Sequence, residues 1–135
     1  MKAILSDVNI EGHVRILVNI LESDSWQGVW SLLQLSVYTF SDLGLVPETL
    51  DSTLWQVCQK NEVVLLTANR NDDGADSLEA TIRSMNTEYS LPVLTVADAD
   101  RILHSREYAE RVVERTVDYL IDIDNFRGTG RLYLP

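Results

Sequence analysis

Glu62-Val-Val-Leu-Leu-Thr67 is the stretch that decides the fold. Four consecutive apolar residues between a Glu and a Thr are too few for a helix and suit a strand covered on both faces, the kind found inside a parallel sheet. The polar run Asn69-Arg-Asn-Asp-Asp-Gly74 follows at once and marks a loop beyond the strand's carboxyl end. Helical patterns flank this strand. Upstream, Pro47 and Glu48 open a helix whose apolar stripe is Leu50, Leu54, Val57 and Cys58; proline suits a first turn because its missing N–H has no partner there. Downstream, Leu78, Ile82 and Met85 recur at helical spacing.

Working outward, Ala3-Ile4-Leu5 is a short apolar run that stops at Ser6-Asp7. From Glu11, the residues Val14, Leu17, Val18 and Leu21 form one buried helical stripe. Leu33-Gln-Leu-Ser-Val-Tyr-Thr-Phe40 alternates apolar with polar and is rich in β-formers, so it reads as a strand over 33–40. Pro92-Val-Leu-Thr-Val96 reads as another strand, residues 98–104 as a short helix, and 107–122 as a long one with Ala109, Val112, Val113, Thr116 and Leu120 inward. Arg127-Gly-Thr-Gly-Arg131 reads as a loop in a tail that begins near 125, with Leu132-Tyr133-Leu134 as a last edge strand. Strand and helix alternate throughout, which predicts one domain over 1–135: a three-layer α/β/α fold with a mainly parallel sheet and right-handed crossovers.

Composition bounds the function. The chain has 135 residues, 45% hydrophobic and 24% charged, the values of one globular domain. Eleven basic against twenty-one acidic residues give a net charge of −10, which excludes coating nucleic acid by bulk attraction. It leaves open a nucleic-acid enzyme whose acidic site is neutralised by Mg²⁺ or Mn²⁺. The lone Cys58 rules out an internal disulfide and sits on an apolar stripe, where a buried structural thiol is expected. No apolar run approaches the ~20 residues of a membrane span, so no membrane partner is expected and the cytoplasm is the expected compartment.

Ligands of open α/β sheets gather beyond the carboxyl ends of the strands. Asp7 and Asn9 follow the first strand, Asp42 the second, Asn69 to Asp73 the third, and Asp98 and Asp100 the fourth. Such an oxygen-rich surrounding suits a hard divalent cation. The same residues have a structural explanation, because Asp and Asn make turns and cap helices. Asp98 and Asp100 are capping or first-turn candidates on that ground, and Glu48 answers the helix dipole. Asp7 ends a short central strand with no turn glycine after it, which leaves the two explanations balanced. Gly128-Thr-Gly130 lacks the phosphate-loop pattern, and His13 and His104 have no metal-ligand spacing. Trp26, Trp30 and Trp55 read as core or interface packing.

Three stretches, in fixed order over the first half of the chain, resemble the PIN-like domain family, especially the short bacterial members counted among toxin–antitoxin nucleases. Leu5-Ser6-Asp7-Val8-Asn9-Ile10 is similar to the family's opening strand and Asp-x-Asn. Asp42-Leu43-Gly44-Leu45, followed by Glu48 to Val57, resembles its glycine loop and acidic helix. Val63 to Asn71 resembles its strand ending in Thr-x-Asp-x-Asp. The resemblance implies a Mg²⁺- or Mn²⁺-dependent endoribonuclease. Asp7 would be the first ligand, Asp51 the helix acid, and Thr67 the residue shaping the loop. Asn69 and Asn71 stand where the family has paired aspartates, and an amide oxygen brings a cation no negative charge. Asp72 and Asp73 lie just beyond, in a shifted register, as substitutes. The resemblance also implies RNA, an antitoxin protein and a second copy of the chain as partners.

Two further readings stand beside it: a catalytically inactive PIN-like binding or regulatory module, motivated by the two asparagines, and an unrelated doubly wound phosphate-transfer or receiver-like domain. The missing lysine after the last strand counts against a receiver.

Overall fold

The computed structural model describes residues 1–135. Five strands form one sheet: β1 (Ala3–Ser6), β2 (Ser36–Tyr38), β3 (Val63–Thr67), β4 (Val93–Val96) and β5 (Arg131–Leu134), in the order β2-β1-β3-β4-β5. All four pairings are parallel, with Leu5 opposite Leu65 and Val96 opposite Leu134. Every residue of β1, β3 and β4 is buried, as continuous apolar runs demand of strands covered on both faces.

Side-chain alternation along these strands divides the core in two. Ile4, Val64, Leu66, Leu94, Val96 and Leu134 point to one face, where they meet α1 (Glu11–Leu21), α5 (Ala99–His104) and α6 (Arg106–Ile121). Ala3, Leu5, Val63, Leu65 and Val93 point to the other, against α3 (Asp51–Lys60) and α4 (Leu78–Met85). The result is a three-layer α/β/α domain. Each fully buried Leu or Val contributes about 1.5–3 kcal/mol of transfer free energy, so the two cores dominate its stability.

The connections from β1 to β4 share one hand. The last one, from β4 to β5, runs in the same direction as β3 to β4 yet puts α5 and α6 on the opposite face, so its hand is reversed. The expectation of uniformly right-handed crossovers fails here. α6 buries Tyr108, Ala109, Val112, Val113, Thr116, Val117 and Leu120 on that face; without it, the α1 side of the sheet would lack cover over its later strands.

Two boundaries differ from the sequence expectations. The strand over 33–40 shrinks to Ser36–Tyr38, because α2 (Gln27–Leu33) takes Leu33 and ends in a left-handed Gln34 at φ 51°. Trp26, Val29, Trp30 and Leu33 lie half-buried against the larger core. Pro47 and Glu48 form a turn rather than a helix start. The Thr49 hydroxyl donates to the Val46 carbonyl (2.7 Å), and α3 begins at Asp51 after an extended Leu50. Leu50 is therefore exposed, whereas Leu54, Trp55 and Cys58 are buried. The edge strand expected at 132–134 forms as β5 and pairs with β4. Gly130 enters it at φ +83°, and a Cβ there would lie 2.9 Å from Ile82 Cγ2, so close packing under α4 accounts for this glycine.

Candidate functional site

The order β2-β1-β3 places a topological switch point between β1 and β3, where the chain leaves β1 in one direction and returns to β3 in the other. Asp7 and Thr67 stand at its carboxyl edge. The Asp7 N–H continues the ladder by donating to the Leu66 carbonyl (2.9 Å), which seats its side chain beside β3. Asp7 is only 6% exposed, and no ion pair reaches it. Its Oδ2 accepts from the Thr67 hydroxyl (2.6 Å), and its Oδ1 takes a longer bond from the Asn9 N–H (3.4 Å).

From Thr67 the network runs outward. Thr67 Oγ1 accepts from the Asn69 N–H (2.9 Å), and Asn69 Nδ2 donates to Asp51 Oδ2 on the first turn of α3 (2.9 Å). Asn69 Oδ1 accepts from the Asn71 N–H (2.9 Å), and Asn71 Oδ1 from the Asp73 N–H (3.0 Å). A backbone N–H can only donate, so the amide oxygen of Asn69 faces Asn71 and its NH₂ faces Asp51. The orientation of this side chain is thereby determined. Ser52 Oγ donates to Asp76 Oδ1 (3.0 Å), tying the far end of the same loop to α3.

Asp7, Thr67, Asn69 and Asp51 are thus joined in one hydrogen-bonded chain. Asn71 and Asp73 are exposed and line, with Asp51, Asp76 and Ser77, an open cleft of about 380 Å³. Asp72 is exposed and lies outside both the network and the cleft lining. Asp42 turns away to its own loop, where it accepts from the Thr39 N–H (2.8 Å), and Asp98 caps α5 by accepting from the Arg101 N–H.

Cys58 lies beneath the site, its thiol pushed up to about 12, first by burial and then by the Asp7 charge. It stays protonated, as expected of a structural thiol. Folding also joins residues distant in sequence. His13 Nε2 reaches Asp100 Oδ1 (3.3 Å). Arg131, read as the end of a loop, lies buried under the site and donates to the Asn69 carbonyl, to Thr95 Oγ1 and to Glu79. It holds the loop that presents Asn69. No local pattern marks Arg131, because its partners come from β4, α4 and the loop after β3.

As folded, the Asn69 side chain offers a divalent ion no ligand atom beside Asp51. No three His, Cys, Asp or Glu side chains are grouped to hold a metal. Each Asp7 oxygen accepts one hydrogen bond and keeps a further lone pair, but the group aimed at Asp51 is an amide NH₂, a donor where a cation needs an acceptor. The arrangement can position a loop over a helix N-terminus and present an acidic cleft. No helix is long and apolar enough to cross a membrane. No family model, curated protein or solved structure matches this chain.

Proposed function

We propose that this chain is a PIN-like domain working as a binding or regulatory module, without metal-dependent cleavage. The observation that carries the reading is the Asn69 amide, which donates to Asp51 at 2.9 Å and links it through Thr67 to Asp7. In the resembled family an aspartate stands at this position and helps hold a cation; here a neutral side chain joins the two acids by hydrogen bonds. Thermal melting with and without Mg²⁺ or Mn²⁺ tests the reading. The wild-type melting temperature is expected to stay put, whereas Asn69→Asp, which adds a carboxylate between Asp7 and Asp51, gains a metal-dependent rise. Metal at a hundred times its dissociation constant would stabilise by about 2.7 kcal/mol. A rise in the wild type, with cleavage of a single-stranded RNA, would overturn it.

A second reading keeps catalysis: a Mg²⁺- or Mn²⁺-dependent ribonuclease, with an antitoxin as its partner. It is favoured by Asp7 and Asp51 meeting through one network at the switch point. It requires the Asn69 side chain to rotate off Asp51. Cleavage of RNA that disappears in Asp7→Asn would support it, and equal cleavage by both proteins would end it.

A further inference from the structure

The two edges of the sheet are finished differently. At the β5 edge, the Tyr119 hydroxyl donates to the Tyr133 carbonyl (3.2 Å) and the Tyr108 hydroxyl to that of Pro135, so side chains from α6 cover backbone groups along that border. At the opposite edge, β2 pairs only with β1. No other hydrogen bond reaches the backbone of Ser36, Val37 or Tyr38. Alternate residues of a strand turn their N–H and C=O to opposite sides, so part of the β2 set points away from the sheet, a template for another strand. Open space lies on both faces of this edge. On the α3 side, Lys2, Val37, Tyr38, Asp42, Leu43 and Val63 line a cleft of about 580 Å³, larger than the one beside Asp51. On the α1 side, Val37 and Thr39 line a smaller one of about 170 Å³. Side chains of an added strand would alternate between the two clefts.

The larger cleft also carries a charge pattern. Lys2 and Asp42 are exposed, and neither is in an ion pair. Lys2 precedes Ala3, which stands opposite Ser36, so Lys2 lies level with Leu35. Asp42 is held level with Thr39, whose N–H donates to its Oδ2 (2.8 Å). The two opposite charges are thus four residues apart along β2, about 13 Å at the rise of a strand. Apolar Val37, Leu43 and Val63 supply the lining with Tyr38. The segment that fits is extended, with an acidic and a basic side chain four residues apart and an apolar one midway, all three on one face of the strand. We infer that the β2 edge is a docking site for such a segment of a partner protein, added to the sheet as a sixth strand. The inference gives the proposed binding module a partner but uses none of the network from Asp7 to Asp51, so either can fail alone.

Titration of the full chain with the peptide acetyl-Lys-Thr-Val-Thr-Glu-amide, followed by amide NMR, tests it. The expected result is saturable shifts and slowed amide exchange at residues 36–39. Lys2→Glu and Asp42→Asn should each weaken binding by about fivefold, the worth of one exposed ion pair. Asn at 42 keeps an amide oxygen to accept from the Thr39 N–H, so the loop is spared. A peptide with lysine at both ends should bind the wild type more weakly than the mixed one, although the net charge of −10 favours it in bulk. The same peptide should be the tighter ligand of Lys2→Glu. N-methylation of alternate peptide amides should abolish binding in one set and spare it in the other, since only one set faces β2. The amide spectrum of each variant checks its fold. Millimolar peptide that leaves residues 36–39 unmoved would overturn the inference. So would a lysine-ended peptide that binds the wild type as well as the mixed one, or two N-methylated sets that both bind like the parent.

Discussion

Thr67 is the residue on which the network turns, and its hydroxyl can be removed with little change in shape. It is fully buried, donates to Asp7 Oδ2 at 2.6 Å and accepts from the Asn69 N–H at 2.9 Å. Thr67→Val leaves a carboxylate that is 6% exposed with only the 3.4 Å bond from Asn9, and it orphans the Asn69 amide. A hydrogen bond to a charged group is worth about 1.5–3 kcal/mol and a neutral one about 1, so the loss should be about 2–4 kcal/mol. For a domain of this size, that lowers the melting temperature by roughly 6–16 °C. Thr67→Ser keeps the hydroxyl and removes one methyl group, so it should cost only about 1 kcal/mol. In an Asp7→Asn background the acceptor is neutral, and the added cost of Thr67→Val should fall to about 1–2 kcal/mol. Urea denaturation of the wild type and the four variants at neutral pH measures all of this. If Thr67→Val lies within about 0.5 kcal/mol of wild type, the Asp7–Thr67 bond does not hold the site together, and the argument for a hydrogen-bonded replacement of the metal centre falls with it.

Two further outcomes are expected. The Arg127 guanidinium, hydrogen-bonded to Glu62 and Asp124, holds both carboxyls below their ordinary values of 4.5 and 3.8. Groups depressed by folding stabilise above their unfolded pKa and lose that contribution as pH falls through the folded one. The melting-temperature gap between wild type and Arg127→Gln should therefore be widest near neutrality and narrow below about pH 4, and a gap that widens in acid would contradict the ion pairs. The Cys58 thiol, buried and pushed up to about 12, should resist iodoacetamide in the native protein at pH 8 and react once urea unfolds it. Rapid native labelling would show that the helix does not bury it.

Asp7 shows how far a local pattern reaches. Its place after a short apolar strand marked it as a site candidate, and the fold does put it at the switch point between β1 and β3. Its near-complete burial and its bond to Thr67, sixty positions away in sequence, follow only from the pairing of those two strands. The asparagines at 69 and 71 were legible as a departure from the resembled pattern. That Asn69 turns its NH₂ rather than its oxygen to Asp51 was not legible, because the choice depends on the Asn71 N–H beside it. Pro47 and Glu48 misled the helix boundary because a turn and a helix start favour the same residues, and the Thr49 side chain decided between them.

What the sequence by itself determined is the alternation of strands and helices and the parallel character of the sheet. Residues such as Val63 to Leu66 have no soluble conformation except one covered on both faces. Tertiary structure decided which helices cover which face, including the reversed last crossover, and how Arg131 from β5 comes to hold the loop after β3. Periodicity along a chain records how much of a segment must leave water. The neighbour that takes the water's place is set by closure of the whole core, and only there do acids and amides far apart in the chain meet.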